Sequence, residues 1–364
     1  MSAKPDIRVW VLAGRRVGDA TQAIALAERL GWPFAIKTLD FSGPRRGGPN
    51  HWQGRTLRGL SKEARDALTP PWPDLLISVG RRSVPVARWI AQHNPEAKLV
   101  HLGRPRLPLR YFDLVIATPQ YAMRDAPNLL RIPSPIHRID AARLDAGSRK
   151  LAPLVAHLPR PYLTVLVGGR AGPYRFDPEV AQELARACLA EVAREQGSLL
   201  VTTSPRTGAE ASAALAEALQ GAPHYLHLWR ENPPDNPYFG LLGLADRIVV
   251  TSESVSMMAE ATATGKPVQL YELPCEPDVR LRRIRRLHAN ALLRPAVERL
   301  DDWGWLALPR RTEAVTQQLI ERGAAAPFGS PAGTETGRVE DALPAVLERV
   351  RAIALAPEVS QRSR

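Results

Sequence analysis

Short runs of Val, Ile and Leu alternate along the chain with longer stretches whose apolar residues recur every three to four positions. The first pattern fits strands buried on both faces and the second fits helices covering them, so the alternation predicts repeated βα units around parallel sheets. In the first half, strands are expected near Ile7–Ala13, Phe34–Asp40, Asp74–Val79, Lys98–Leu102 and Asp113–Ala117. In the second they are expected near Tyr162–Val167, Ser198–Thr203, His224–Leu228, Arg247–Thr251 and Val268–Tyr271. Asp19–Leu30, Pro178–Glu195, Ala209–Leu219 and Val255–Thr264 have the Ala, Leu, Glu and Arg content that favours helix. The expected fold class is α/β, two doubly wound Rossmann-like domains facing a cleft.

A proline-bearing stretch, Ile132–Pro161, has no clear strand and separates the two sets. The expected domains are 1–140, a hinge or linker at 141–160, a second domain at 161–322, and a linker with a C-terminal helix at 323–364. Within the first domain, Ser42–Arg55 reads as a long polar loop carrying Gly, Pro and Arg. Arg280–Arg286 reads as a basic helix, either a solvated face or one drawn to anionic groups.

A length of 364 residues suits two domains. A net charge of +12 draws the protein to anionic partners, an anionic membrane surface among them. The aromatics are scattered and no nucleic-acid module appears, so nucleic acid is not an expected partner. Cys188 and Cys275 lack zinc-ligand spacing, which leaves no metal expected and suits a reducing cytoplasm. No apolar run approaches the ~20 residues that span a bilayer. Asp6 and Arg8 interrupt the N-terminal run, which reads as a strand and not as a signal peptide.

In open parallel sheets, ligands bind where strands end and helices begin. The first such segment is Ala13-Gly14-Arg15-Arg16-Val17-Gly18-Asp19, where Asp19 is either a helix cap or a general base that accepts a proton from a hydroxyl. Arg81, His101, Arg104 and Gln120 stand at the ends of other strands of this half and are either acceptor-binding groups or ordinary loop residues. In the second half, Val167-Gly168-Gly169-Arg170 is either a diphosphate cradle or a plain turn. Ser204 and Arg206 follow the next strand. There is no GxGxxG and no Walker loop.

The richest segment runs from Thr251 through Ser252-Glu253-Ser254 into a short helix that closes at Gly265-Lys266-Pro267. Ser254 can cap that helix, whose first-turn N–H groups favour an anion. Ser256 and Glu260 share a helix face, where Glu260 is either a carboxylate placed for the hydroxyls of a ribose or an exposed glutamate on a capped core helix.

Thr251–Pro267 resembles the donor-site signature of two-domain glycosyltransferases of the GT-B class. The resemblance implies that Glu260 meets the ribose, that Ser254 and Ser256 lie on the phosphate side, and that Gly168-Gly169 is the glycine turn of the nucleotide domain. Gly18-Asp19 looks like the Gly-Asp of the heptosyltransferase branch, where the aspartate serves as base. Over nearly its whole length the chain is most similar to the mitochondrial fission (elongated mitochondria) family. The residues that carry this are Val17–Gln22, His101–Pro105, Phe112–Tyr121, Asn236–Tyr238 and Val250–Val268.

The implied function is transfer of a sugar from a nucleotide-diphosphate sugar to an envelope-glycan or lipid-linked acceptor. It would be inverting, metal-independent and without a cofactor, and would take place in the cytoplasm or at the inner face of the membrane. The donor would engage Gly168, Gly169, Arg170, Ser204, Arg206, Thr251, Ser252, Ser254, Ser256, Glu260 and Lys266. The acceptor would engage Arg15, Gly18, Arg81, Arg104 and Gln120, with Asp19 as catalytic base. A nucleotide-sugar epimerase and a non-catalytic membrane-surface or scaffold protein are the alternatives.

Overall fold

The computed structural model describes residues 7–14, 17–42, 50–231, 235–330 and 342–356. In chain order the first elements are β1 (Val9–Gly14), α1 (Val17–Leu30), β2 (Phe34–Leu39), α2 (Asn50–Gln53), α3 (Lys62–Asp66), β3 (Leu75–Val79), α4 (Ser83–Ile90), β4 (Lys98–Leu102), β5 (Leu114–Ala117) and β6 (Leu129–Arg131). There follow α5 (Ala141–Val155), β7 (Tyr162–Leu166), α6 (Pro178–Glu195), β8 (Ser198–Thr202), α7 (Ala209–Ala218), β9 (His224–His227), α8 (Tyr238–Leu244), β10 (Arg247–Thr251), α9 (Val255–Thr262) and β11 (Val268–Tyr271). The last are α10 (Val279–Ala289), α11 (Arg294–Asp302), α12 (Thr312–Glu321), β12 (Ala326–Pro327) and α13 (Leu343–Ala354). Among the described residues no helix is long and apolar enough to cross a membrane.

The chain forms two compact units. Unit 1 takes the described residues of 1–138, 283–310 and 341–364, and unit 2 those of 139–282 and 311–340. The α/β, doubly wound architecture expected from the sequence is present in each.

In unit 1 all six strands are parallel, in the order β2-β1-β3-β4-β5-β6. Strict alternation sends Val9 and Val11 to one face and Trp10 and Leu12 to the other, so both faces are covered. The first face packs on Leu26 of α1 and on Val346 and Val350 of α13, so the C-terminal helix completes this core. Arg351 of α13 donates to the carbonyls of Arg29 and Leu30 at 3.3 and 3.2 Å, satisfying the end of α1. The second face packs on Val84 and Ile90 of α4 and on Phe112. The strand order reverses between β1 and β3, and Gly14, Asp19, Gly80 and Arg81 lie at that switch.

In unit 2 the order is β12-β11-β10-β7-β8-β9, again all parallel, with the reversal between β7 and β10. One face carries Val165 and Val201 against Leu184 of α6 and Leu215 of α7. The other carries Leu166 and Val250 against Met258 of α9 and Leu319 of α12. The stretch expected as a linker, 141–160, holds α5, capped by Asp140 through the N–H of Arg143 at 2.8 Å. Small residues let α5 approach α8 backbone to backbone. A methyl on Gly240 would sit 2.6 Å from the Gly147 carbonyl oxygen, and one on Gly147 would sit 2.5 Å from the Gly240 nitrogen.

Candidate functional site

At the switch of unit 2, three turns are laced together. The Gly168 N–H donates to Thr251 Oγ1 at 2.9 Å, tying the end of β7 to the end of β10. Ser204 Oγ donates to the Gly168 carbonyl and accepts from the Arg206 N–H at 3.1 Å. The Arg170 N–H donates to the Arg206 carbonyl at 3.1 Å. Gly169 stands at φ +103°, and a Cβ there would lie 2.5 Å from the Arg206 carbonyl, so this position accepts only glycine.

The Arg206 guanidinium donates to Ser254 Oγ at 3.1 Å and lies 3.4 Å from Glu253 Oε1. Ser254 occupies the N-cap position of α9 but makes no capping hydrogen bond through its side chain. Its hydroxyl answers Arg206 instead. Glu253 is fully enclosed, and a methyl on Gly168 would run into its Oε1. Burial pushes the Glu253 carboxyl up to about 7, against the pull of Arg206.

Sequence reasoning passed over Glu253, although a carboxylate between two serines at a strand end was a visible signal. Tyr238 was legible as part of the Asn236–Tyr238 motif, but its role was not. Its hydroxyl donates to Glu260 Oε2 at 2.5 Å. Packing around the Glu260 carboxyl pushes it up to about 7 as well, with the Tyr238 bond working in the opposite sense.

Gly168, Gly169, Ser204, Arg206, Thr251 and Ser254 are thus brought together, and Ser252 follows in the same turn. Ser256 and Glu260 sit further along α9. Arg170 is exposed. Lys266 is held elsewhere, because its ammonium donates to the carbonyls of Leu242, Gly243 and Ala245 at 2.9, 2.5 and 2.6 Å. It closes the C-terminal end of α8, where a cation is favoured.

In unit 1, Arg15 lies outside the described residues. Gly18 and Asp19 begin α1. A Cβ on Gly80 would lie 3.7 Å from Asp19 Oδ2, which places the carboxyl over the turn after β3. Asp19, Arg81 and Arg104 line one large cavity, and Asp19 and Gln120 line a smaller neighbour. His101 is buried with Nδ1 2.9 Å from Ser78 Oγ, and burial lowers its pKa to about 3, so the ring is neutral. Arg104 is committed inside the protein: it pairs with Asp301 at 2.8 Å and donates to the Ala122 carbonyl at 2.9 Å.

Glu253 gives a pH test. Its proton is bound more tightly in the folded chain, at about 7 against an ordinary 4.5, so the stabilisation is complete below pH 4.5 and lost as pH rises through 7. Urea unfolding is expected to show a loss of up to about 3 kcal/mol from this group between pH 5 and 8. Glu253→Gln should reduce the slope. An unchanged slope in the variant would refute the assignment.

Comparison with known proteins adds a family. The model described as Mitochondrial fission ELM1 matches residues 17–323. The mitochondrial fission protein ELM1 of Arabidopsis thaliana is 29% identical over 238 residues, covering 58% of this chain and 54% of that protein. The match therefore spans about half the length of that relative. An uncharacterized protein of Rickettsia prowazekii (strain Madrid E) is 25% identical over 304 residues, covering 74% of this chain and 84% of the other. Solved structures of glycosyltransferases and of UDP-GlcNAc 2-epimerases are also similar. The ADP-heptose LPS heptosyltransferase II of E. coli has a TM-score of 0.43 at 14% identity, covering 96% of this chain and 99% of that one.

Proposed function

The chain belongs to the mitochondrial fission ELM1 family, and from that premise we propose that it is a glycosyltransferase that uses a nucleotide-diphosphate sugar. The observation that carries this reading is the convergence at the β7/β10 switch of the Gly168-Gly169 turn, Ser204, Arg206 and the start of α9. Close-approaching backbone, two hydroxyls, a guanidinium and a helix N-terminus are what a diphosphate requires. Glu260, in the second turn of α9, would take the ribose hydroxyls in place of its present bond from Tyr238.

In the proposed reaction Asp19 of unit 1 accepts the proton of an acceptor hydroxyl as that oxygen attacks the anomeric carbon. The bond from that carbon to the diphosphate breaks, and the configuration inverts. Arg206 and the N–H groups of α9 take up the charge on the leaving diphosphate, which is how the step would proceed without a metal. Glu253 beside Arg206 opposes an anion when ionised, so nucleotide affinity should rise as pH falls through 7. The acceptor would be an envelope glycan or a lipid-linked sugar, and the setting the cytoplasm at the inner membrane face.

The test is product analysis with a panel of nucleotide sugars, each supplied alone and with candidate acceptors. The expected result is sugar transfer and release of nucleoside diphosphate only when acceptor is present. Conversion of a nucleotide sugar without acceptor would make the protein an epimerase. No turnover of any donor would contradict both.

A further inference from the structure

Unit 1 contains a cavity of about 1390 Å³ whose lining includes Asp19, Asn50, Trp52, Arg81, Arg106 and Arg310. Its charged lining is mostly cationic, arginines outnumbering the carboxylate of Asp19. Arg106 is partly buried and its side chain makes no hydrogen bond among the described residues. Burial lowers its pKa, and so do Arg81, Arg104 and Arg310 around it; Asp301 is the acid that works against them. Asp301 is already paired with Arg104 at 2.8 Å. Arg106 also holds a left-handed backbone, φ 52°, a conformation rare for a residue of its kind. Its guanidinium nitrogens are open to the cavity, so what an anion there would relieve is the repulsion among these arginines.

Asn50 supplies a second, independent requirement. It is 1% exposed, and its Nδ2 donates to the carbonyls of Arg81 at 3.1 Å and Pro105 at 2.7 Å. Those two acceptors settle which amide atom is nitrogen. Its Oδ1 has no partner, so a ligand that satisfies it must bring a hydroxyl or N–H donor. Trp52, 65% exposed, stands edge-on to Trp305 at 4.3 Å. Exposed indole faces of this kind suit the apolar face of a sugar ring.

We propose that this cavity binds an anionic saccharide, a sugar bearing a phosphate or carboxylate, with Arg106 and Arg81 on the charge and Asn50 on a hydroxyl. The inference deepens the acceptor half of the reading above and rests on it. It narrows the acceptor to sugars that carry their own negative charge. Such a group could arrive on a soluble sugar or as the headgroup of a lipid-linked one.

The experiment is calorimetric titration of the full chain, at one ionic strength, with glucose 1-phosphate, glucose 6-phosphate, glucuronate, glucose and inorganic phosphate, and with a lipid-linked sugar phosphate in phosphatidylcholine vesicles. At least one charged sugar is expected to bind at least tenfold more tightly than both glucose and inorganic phosphate. Arg106→Gln should weaken that ligand about 10- to 100-fold, the scale of a lost charge-assisted hydrogen bond. Asn50→Ala should weaken it while leaving inorganic phosphate unchanged. Binding by the soluble sugars or by the vesicles alone supports the site and identifies the source of the ligand.

Failure of every charged sugar to bind, phosphate binding as tightly as the sugars, or wild-type affinity in Arg106→Gln would each overturn the proposal. The unfolding midpoint of Arg106→Gln should not fall, because the change removes repulsion among arginines. A parallel titration with nucleoside diphosphates separates the two ideas: their failure to bind would count against the donor site in unit 2 and leave this site standing.

Discussion

Asp301→Ala is expected to lower the unfolding free energy of unit 1 by about 3–5 kcal/mol, the cost of leaving a buried charge without its partner. The Arg104 and Asp301 side chains are only 8% and 3% exposed and meet at 2.8 Å. Asp301 also accepts from the Leu308 N–H at 2.8 Å, so its loss strands a backbone donor too. Burial raises the Asp301 carboxyl above its ordinary value in spite of Arg104, so the pair works against a large desolvation cost. The cost of removing one member should therefore exceed the net worth of the pair. Asp301→Asn, which keeps an acceptor for Leu308, should be milder. Tryptophan fluorescence in a urea titration reads this directly, because of the eight tryptophans only Trp229 belongs to unit 2. A loss below about 1 kcal/mol would show that water already reaches Arg104.

Asp19→Asn is expected to reduce sugar transfer by about 10²–10⁴-fold, the usual contribution of a general base. The side chain keeps its shape and loses the basic oxygen. Asp19 lies in the first turn of α1, where a negative charge also favours the helix by roughly 0.3–1 kcal/mol. A small stability change is therefore expected whether or not the residue is catalytic, and the decisive quantity is turnover at saturating donor. Nucleotide affinity should be unaltered, since the donor residues belong to unit 2. Full transfer activity in the variant would leave Asp19 as a helix-terminal residue.

The interior strands were legible because parallel strands covered on both faces are continuous apolar runs; Leu75–Val79 and Arg247–Thr251 need no knowledge of their neighbours. The edge strands Leu129–Arg131 and Ala326–Pro327 were missed, being too short for any periodicity to register. Helix α5 was read as a linker because its fit depends on Gly147 meeting Gly240, far along the chain. The same reason limited the site. The glycine and serine turns of unit 2 could be found from their positions at strand ends. Lys266 read as a donor-binding group because nothing local marks its three carbonyl partners at the end of α8. Arg104 read as an acceptor ligand because its counter-ion is 197 residues away, where nothing local marks Asp301 as buried. Charges at strand ends advertise a site, but only their partners show which are held by the protein and which are left for a ligand.

Titration of the purified protein with nucleoside diphosphates and their sugars, wild type beside Glu260→Ala, tests the donor site most directly. One nucleotide should bind, and the substitution should weaken it by about 1–3 kcal/mol, the scale of a lost hydrogen bond to a charged group. Binding by no nucleotide, or equal binding by both proteins, would contradict the assignment of the turns around Gly168 and Ser254 to a nucleotide sugar.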